Sequence, residues 1–398
     1  HLASGPPYTE PSDNPEEFKG RKTPFVPGGV HKKVAAWRKM DPPPDREVLA
    51  WIEKGYEVKA PPEGEGIRSR NGRLARENMG ALRALLIKRL KEKSWEATES
   101  VTNIIPANLT PKEGAAIPWR LVLNAKLLNS SFNTWRTRYE GLKTVPLTVK
   151  PDDWLFSIDL ESGYDAMLMQ EKSRGLFGVK VRLTAEQVQE LLEMELLKEV
   201  QAQFKYEDGS WEVLLRPRTL VQGWVNSCGV FTKLVRQVVR MWRKRGYRLV
   251  SMLDDSLFAV SGTYEEAVAV RDRVLKDLEE LGFCVSWLKS VLTPCKCLKF
   301  LGMLVDSLRM RFFAPGYKVE EVEKLIQEFL LAPHDITFRR MAKIAGKILA
   351  MGTAISCSRL FTRQTYRCIQ PESHDDWDTA AGDVVTQEMV QELKEAMV

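Results

Sequence analysis

The sequence predicts an α+β fold, in which strands and helices are mixed and then give way to a helical C-terminal third. Strand-like residues flank Asp254 and Asp255 on both sides, as in a β-hairpin. Helical periodicity dominates beyond Val319. There is no alternating βαβ order with a glycine fingerprint and no Walker-type phosphate loop. These observations disfavour a nucleotide-binding α/β fold.

The first part of the chain is rich in proline, glycine and charge. Residues 1–66 contain few apolar periodic runs beyond Val34–Trp37 and Val48–Ile52. Such a composition is typical of extended segments that do not build a core of their own. We therefore predict an extended N-terminal arm over residues 1–72, with at most short helices, that docks on a partner.

Eight helices are predicted from apolar residues at helical spacing. They cover residues 73–93, 185–204, 227–244, 265–281, 319–331, 337–351, 356–369 and 386–398. Thr184 and Gln187 form a capping-box pattern at the start of the second helix. Gly282 is a normal C-cap residue for the fourth.

The predicted strands are short apolar runs. They are residues 101–105, 119–124, 154–160, 213–215, the two halves of 249–260, 283–287 and 300–306. The third of these strands ends in a single carboxylate, Asp159, and the hairpin carries the Asp254–Asp255 pair at its tip. The sequence thus places acidic side chains beside apolar strands.

Net charge and basic clusters indicate a polyanionic partner. The net charge of +6 is modest, but Lys and Arg concentrate in residues 68–93 and 236–248. Basic clusters of this kind are the usual footprint of nucleic acid, although either one alone is also typical of a solvated helix face.

Cysteine spacing and hydropathy indicate the redox environment of the chain and whether it contains a membrane segment. The six cysteines are scattered, and the one close pair, Cys295 and Cys297, is too tightly spaced for a zinc knuckle. We predict reduced thiols in an intracellular protein. The sequence has neither an apolar run of about 18 residues nor an apolar stretch within its first 30 residues. We expect no membrane segment and no signal peptide.

Asp159, Asp254 and Asp255 are the strongest candidates for chemistry. A carboxylate at the end of a buried strand is costly unless it is paired or binds a cation. Two adjacent acids repel each other, and a divalent cation such as Mg²⁺ removes that penalty. Two such cations promote phosphoryl transfer by positioning and charge neutralisation. The alternative is an ordinary acidic surface turn.

Segments covering about residues 110–310 resemble the motifs of reverse transcriptases, in the order in which that family has them. They are Pro118–Asn129 (fingers), Phe156–Tyr164 (motif A), Val221–Phe231 (motif B), Met252–Asp255 (the catalytic box), Leu281–Ser290 (motif D) and Phe300–Met303 (motif E). Phe231–Lys233 and Trp287–Leu292 are similar to long-terminal-repeat-type retroelements, in particular the DIRS-like group.

The resemblance implies a polymerase right hand with a two-metal centre. Asp159, Asp254 and Asp255 would hold Mg²⁺, with Mn²⁺ as a substitute. Lys289 matches the motif D lysine, a candidate general acid for pyrophosphate, or else is an ordinary solvated lysine.

Further residues match substrate-binding positions of that family. Arg120 matches the fingers arginine over the triphosphate, and Lys112 aligns more loosely as a second cation. Tyr164 matches the aromatic gate against a 2′-hydroxyl, with an ordinary core tyrosine as the alternative. Gln222 and Gly223 match the loop against which nucleotide and template pack. Phe300, Leu301 and Gly302 match the hairpin that grips the primer end.

The implied domains are fingers over residues 73–150, palm over 151–317 with a helical insertion at about 184–205, a helical thumb over 318–370 and an acidic tail over 371–398. The expected activity is RNA-directed DNA polymerisation, with an RNA template, a DNA primer and dNTPs as partners, and no membrane.

The sequence departs from the motif pattern at several points. Met252 stands where tyrosine is common, Cys228 and Gly229 replace the usual motif B residues, and motifs A and B lie unusually far apart. A catalytically silent scaffold in a ribonucleoprotein, docked through residues 1–72, therefore stays open as an alternative. An RNA-templated RNA polymerase is a further one, and Tyr164 disfavours it.

Overall fold

The computed structural model describes residues 5–22, 24–59, 66–112, 114, 116–355 and 357–397. The strands are β1 (Trp95–Thr98), β2 (Ala107–Pro111), β3 (Trp119–Leu123), β4 (Trp154–Asp159), β5 (Val179–Leu183), β6 (Ala202–Lys205), β7 (Trp211–Pro217), β8 (Arg248–Met252), β9 (Asp255–Val260), β10 (Val291–Cys295), β11 (Cys297–Phe300), β12 (Met303–Asp306) and β13 (Arg311–Phe313). Their named pairings are antiparallel, and with the helices they confirm the predicted α+β class.

The α-helices are distributed along the whole chain. They are α1 (Val34–Arg38), α2 (Arg46–Lys54), α3 (Arg73–Glu77), α4 (Met79–Lys91), α5 (Lys126–Asn129), α6 (Val145–Thr148), α7 (Glu171–Arg174), α8 (Ala185–Glu193), α9 (Ser227–Lys244), α10 (Tyr264–Leu281), α11 (Gly316–Leu331), α12 (Phe338–Ala350), α13 (Arg363–Cys368) and α14 (Gln387–Glu395). The predicted bounds of α9 are those observed, because its apolar stripe is continuous.

The central sheet has the strand order β10-β4-β9-β8 and is packed on both faces. On one face the rings of Phe156 and Phe258 stack with centroids 4.8 Å apart, and Trp242 of α9 meets Phe258 edge-on. On the other face Leu155 and Leu257 join a second cluster of buried residues. Since successive side chains of a strand point to opposite faces, both alternating sets are apolar here.

The described residues also form a second four-stranded sheet, a three-stranded sheet and a two-stranded sheet. Strands β1, β7 and β5 pair in that order, with β6 also on β7, while β2 pairs with β3. The third sheet, β11-β12-β13, packs against the second face of the central sheet through Leu298, Phe300 and Val305.

Several predicted elements end early or are broken. The helix predicted over 185–204 ends at Glu193, because Glu195 adopts a positive φ of 56° and the chain then returns as strand β6. The helix predicted over 73–93 is interrupted at Asn78, whose side-chain amide donates to the Leu74 carbonyl. The helix predicted over 356–369 contains α13 alone, after a short 3-10 turn.

Three predicted strands also differ. Residues 101–105 and 283–287 form isolated bridges through Ile104 and Val285 instead of strands. The strand predicted over 300–306 is a hairpin, because Leu301 and Gly302 turn with φ values of 47° and 79°. Local apolar composition marked these segments correctly as buried without giving their pairing.

The described part of the predicted N-terminal arm is folded onto the rest of the molecule. Val30, Trp37, Val48 and Ile52 are fully buried. The Trp37 indole donates to the Leu281 carbonyl at the end of α10, at 2.9 Å. These buried residues anchor the segment, but they are spaced too irregularly to give a periodic signal in the sequence.

The C-terminal helices form their own apolar cluster. Ile326, Met341, Ile344, Met389 and Leu393 are buried in it. The Glu392 carboxylate accepts hydrogen bonds from the Gln364 and Thr365 amides, which lie at the start of α13. The segment predicted as an acidic tail is thereby packed against the helices before it.

All six cysteines are free thiols, as predicted. None of the helices in the described ranges combines the length and the apolar character that crossing a bilayer requires.

His31 joins the N-terminal segment to the chain at Leu168, and its burial predicts a stability that depends on pH. Its Nδ1 donates to the Ile52 carbonyl and its Nε2 accepts from the Leu168 amide, both at 2.7 Å. Burial lowers the pKa of His31 to about 4. Between that pKa and the unfolded value of about 6.5, only the unfolded chain binds the proton. We expect its contribution to stability to be complete above pH 6.5 and lost as the pH falls to 4, on the order of 3 kcal/mol.

Thermal unfolding of the wild type and of His31→Gln at pH 7 and pH 4.5 measures this loss. Glutamine retains a donor and an acceptor but does not titrate, so its Tm should fall less on acidification. An equal fall in both proteins contradicts the assignment.

Candidate active site

The structure brings the three predicted aspartates to one end of the central sheet. Asp159 ends β4 and lies directly opposite Asp255, the first residue of β9. Asp254 occupies the turn before β9, and its carbonyl accepts from the Leu160 amide at 3.0 Å. Leu253 makes this turn with a positive φ of 53°. Antiparallel pairing therefore sets the spacing of the acids.

Burial dominates the electrostatics of this cluster. Burial, together with the charges of Asp255 and Asp254 and against the opposing effect of Lys289, raises the pKa of Asp159 to about 7. It raises the pKa of Asp254 to about 6, with Asp255 adding to the effect. The pKa of Asp255 is also raised by burial, while a hydrogen bond with Asp159 opposes the rise. A bound cation would relieve this repulsion.

Asp254 Oδ1 is the observation that favours a metal ion at this site. This oxygen is buried and has no hydrogen-bond partner. A buried carboxylate oxygen of that kind is costly unless a cation binds it. Within the described residues, no group of three or more Asp, Glu, His or Cys side chains has the arrangement of a metal-ion site. The aspartates would therefore act as partial ligands, which suits Mg²⁺ because it keeps water and substrate oxygens in its shell.

Gly163 is a site residue that the sequence reading missed. A Cβ on Gly163 would overlap Asp254 Oδ1 and would lie 2.5 Å from Phe231 Cζ. Glycine is thus required for the chain after β4 to pass beside the Asp254 carboxylate. Its place within motif A was a usable signal.

Lys289 lies beside the carboxylates on the loop before β10. Its Nζ is 3.8 Å from Asp159 Oδ1, and its side chain is 70% exposed. The same loop holds the Asp159 backbone, since the Asp159 amide donates to Ser290 Oγ at 2.9 Å and the Ser286 amide donates to the Asp159 carbonyl at 2.8 Å. Ser290 was not singled out from sequence, although it adjoins the predicted lysine.

Tyr164 lies on the 3-10 turn Gly163–Ala166 and is half-buried. Its ring meets Phe231 edge-on, with centroids 5.4 Å apart, and its hydroxyl hydrogen bonds with the Cys228 thiol. Burial and this hydrogen bond raise the pKa of Tyr164 above its usual value. The ring is fixed against α9 while one part of it stays accessible, as a gate residue requires.

Lys112 and Arg120 line a cleft of about 410 Å³ that adjoins the carboxylates. Glu161 and Ser162, which closely follow Asp159, line the same cleft. Six basic residues contribute to its walls: Arg21, Lys22, Lys88, Arg89, Lys112 and Arg120. The N-terminal pair among them was not predicted. A cation-rich cleft next to the three carboxylates suits a polyphosphate.

Gln222 and Gly223 lie on the loop before α9, next to strand β3. Gln222 is exposed. Gly223 has a φ of 112°, and a Cβ there would overlap the Leu123 carbonyl. Asn129 fixes this loop, because its amide donates to the Gly223 carbonyl at 3.0 Å and its carbonyl oxygen accepts from the Val225 amide at 3.0 Å.

Phe300, Leu301 and Gly302 lie in a separate hairpin and not among the carboxylates. Phe300 is buried against the central sheet. Leu301 and Gly302 form the turn between β11 and β12, and the Gly302 carbonyl accepts from Lys318 Nζ at 2.8 Å. The turn is thereby tied to the start of α11.

The basic cluster predicted over residues 236–248 is largely neutralised. Five of its members pair with acids: Arg240 with Asp45, Arg243 with Glu140, Lys244 with Asp41, Arg245 with Asp277, and Arg248 with Asp153. Because these acidic partners lie far away in sequence, counting charges within residues 236–248 could not predict the pairing. These basic side chains therefore hold the N-terminal segment and the segments around β8 and α10 together, and most of their charge is paired within the molecule.

Comparisons with known proteins agree with this geometry. A family described as reverse transcriptase (RNA-dependent DNA polymerase) matches residues 110–305, just under half of the chain. Among curated protein sequences none matches significantly.

Three solved foamy viral protease-reverse transcriptase structures share the fold. A form in complex with double-stranded DNA, described as dRH, gives a TM-score of 0.62 at 15% identity over 97% of this chain and 62% of its own. A complex with RNA/DNA hybrid gives 0.60 at 16% identity, over 89% and 39%. A further complex with double-stranded DNA gives 0.57 at 16% identity, over 95% and 72%.

The mixed helix and antiparallel sheet architecture described above is the fold of those structures. Residues 110–305, which include the three aspartates, match the reverse transcriptase family. The chain spans under two thirds of the length of the first of these structures.

Gly163→Ala should weaken metal binding, because the added methyl group displaces the Asp254 carboxylate. We expect the affinity for Mn²⁺, measured by isothermal titration calorimetry, to fall by about tenfold or more. Gly80→Ala is the matched control, since a Cβ at that helical position meets no atom within 4 Å. Equal affinities in both variants contradict the placement of Asp254 as a ligand.

Proposed function

We propose that the chain is an RNA-directed DNA polymerase that adds deoxynucleotides to a primer 3′ end. The observation that carries the proposal is the buried, unpartnered Asp254 Oδ1 within a cluster of three acids, next to a cation-lined cleft. Acids alone are typical of many metal sites, and basic clefts alone are typical of many anion sites. Their juxtaposition on a reverse transcriptase domain favours nucleotidyl transfer.

Asp159, Asp254 and Asp255 are the residues that would hold Mg²⁺, with Mn²⁺ as a substitute. When bound, the metal supplies charge neutralisation and lowers the pKa of the primer hydroxyl. The protein contributes the fixed spacing of the acids through the β4–β9 register. It also excludes water from one side of the site, because the carboxylates lie at the end of a sheet packed on both faces.

Lys112 and Arg120 would bind the triphosphate in the cleft. A guanidinium fork and an ammonium group complement phosphate oxygens without proton transfer. Lys289 lies close enough to Asp159 to contact the triphosphate bound there, and it is exposed enough to exchange its proton with solvent. We assign it the protonation of the leaving pyrophosphate.

The remaining predicted residues would contact the sugar, the base pair and the primer. The Tyr164 ring would lie under the sugar and exclude a 2′-hydroxyl. Gln222 and Gly223 would pack against the nascent pair, where a residue with a positive φ lets the backbone approach. The turn Leu301–Gly302, carried on buried Phe300, would support the primer end.

We propose the domain division predicted above: fingers over 73–150, palm over 151–317, thumb over 318–370, and the flanking segments 1–72 and 371–398. The foamy viral structures were determined with double-stranded DNA and with RNA/DNA hybrid. By analogy we infer an RNA template and a DNA primer as partners here. The subgroup, a long-terminal-repeat-type and DIRS-like retroelement, rests on the motif resemblance alone.

Primer extension tests the function directly. With Mg²⁺, dNTPs and a DNA primer on an RNA template, the purified chain should extend the primer, and Asp254→Asn should reduce extension to background. Asp383→Asn, at an exposed position in the C-terminal segment, is the matched control and should retain full activity.

Extension that persists in Asp254→Asn overturns the assignment of the acids. A folded wild type that binds primer–template without extending it supports the silent ribonucleoprotein scaffold instead. Extension with ribonucleotides in preference to deoxynucleotides supports the RNA polymerase alternative.

Tyr164→Val tests sugar selection. Removal of the ring should raise ribonucleotide incorporation relative to deoxynucleotide incorporation by roughly tenfold or more. The measurement is the ratio of kcat/KM for dCTP to kcat/KM for CTP, both incorporated opposite the same template guanine. Tyr366→Val, an exposed tyrosine of the C-terminal helices, should leave that ratio unchanged.

A further inference from the structure

Asn14, in the N-terminal segment, is a buried polar residue that no part of the proposed mechanism uses. It is 3% exposed and lies just after the 3-10 turn Pro11–Asp13. Its Nδ2 donates to the Ser290 carbonyl at 2.8 Å, and its Oδ1 accepts from the Leu292 amide at 2.7 Å and the Thr293 amide at 3.3 Å. A single side chain thereby holds three backbone groups of one loop and strand.

Those backbone groups belong to an exposed edge of the central sheet. Strand β10 is the outer strand next to β4, so its outward amides need partners from outside the sheet. Asn14 supplies them from a distant part of the sequence. Thr293 Oγ1 adds a hydrogen bond to the Asp13 carbonyl at 2.9 Å.

The loop that Asn14 holds is hydrogen bonded directly to one of the carboxylate residues. Asn14 donates to the Ser290 carbonyl, and the hydroxyl of the same serine accepts a hydrogen bond from the Asp159 amide. Lys289, the neighbouring residue, lies 3.8 Å from Asp159 Oδ1. Asn14 is thus two hydrogen bonds from the backbone of one predicted metal ligand and one residue from the predicted general acid.

Aromatic packing holds the same loop from the same side. Phe18 stacks on Trp287 with ring centroids 5.8 Å apart and planes within 5°. The Arg271 guanidinium lies over the Phe18 ring at 4.9 Å and donates to the Leu292 carbonyl at 3.0 Å. The segment from Asn14 to Phe18 therefore fixes both ends of the loop 287–292.

We infer that Asn14 is a positioning residue for nucleotidyl transfer, which sets the place of Lys289 and Asp159 through the Ser290 backbone. The kinetic part of this inference rests on the proposed polymerase function. Asn14 touches neither the carboxylates nor the cleft, so its removal should affect the chemical step more than nucleotide binding. Misplacement of reacting groups by a fraction of an ångström is enough for such an effect.

Asn14→Ala is the test variant, and Asn103→Ala is its matched control. Asn103 is also buried, and it likewise ties backbone groups, the Ile67 amide at 2.9 Å and the Leu176 carbonyl at 3.1 Å, away from the loop. Both substitutions remove a buried amide, so both should lower Tm.

Hydrogen–deuterium exchange provides a readout that does not depend on activity. Exchange in a peptide spanning 286–293 should rise in Asn14→Ala and stay at the wild-type level in Asn103→Ala. Unchanged exchange in Asn14→Ala overturns the inference, whether or not the chain extends primers. If the wild type fails to extend primers while exchange behaves as expected, the polymerase proposal and the kinetic role fall, and the structural tie to Ser290 stands.

Single-turnover incorporation provides the kinetic readout. In Asn14→Ala the maximal rate should fall between about 10-fold and 100-fold, with the apparent Kd for dNTP within about twofold of the wild type. In a Lys289→Met background the same substitution should cost less, because one of the two groups that it positions is gone. Equal losses in both backgrounds, or a loss matched by Asn103→Ala, overturn the positioning role.

Discussion

The pairing of β4 with β9 is the constraint on which the site depends. It sets Asp159 opposite Asp255, and the stacked rings of Phe156 and Phe258 lie three residues further along the same pairing. A slip of one residue would move the residues of each face to the opposite face and separate the stacked phenylalanines, so the register is strongly specified. The apolar core thereby holds like charges together at an energetic cost that a cation offsets.

Around this pair, segments distant in sequence supply the other components. The cleft takes basic residues from the N-terminal segment, from α4 and from β3. The loop with Lys289 is tied to Asp159 on one side and to Asn14 on the other. The N-terminal segment therefore contributes residues to the candidate site and is not an appendage. This placement also explains why a charge-rich, proline-rich stretch contains so many fully buried apolar residues.

The motifs predicted much of the site, because each is short and local. The hairpin at Asp254–Asp255, helix α9 and the C-cap at Gly282 follow from periodicity and turn chemistry within a few residues. The errors lie where tertiary pairing overrides local preference. Residues 185–204 read as one helix because their apolar spacing is helical, yet β7 offers unpaired edge groups that draw residues 202–205 into a sheet.

By itself, the sequence determined the α+β class, the order of the motifs and the identity of the candidate acids, lysine and tyrosine. These depend on residue type and on spacing within one element. The tertiary structure alone decided which charges are free, which loops meet the acids, and that Asn14, Gly163 and Ser290 belong to the site. Each of those facts depends on contacts between segments far apart in the chain, and local composition contains no record of such contacts.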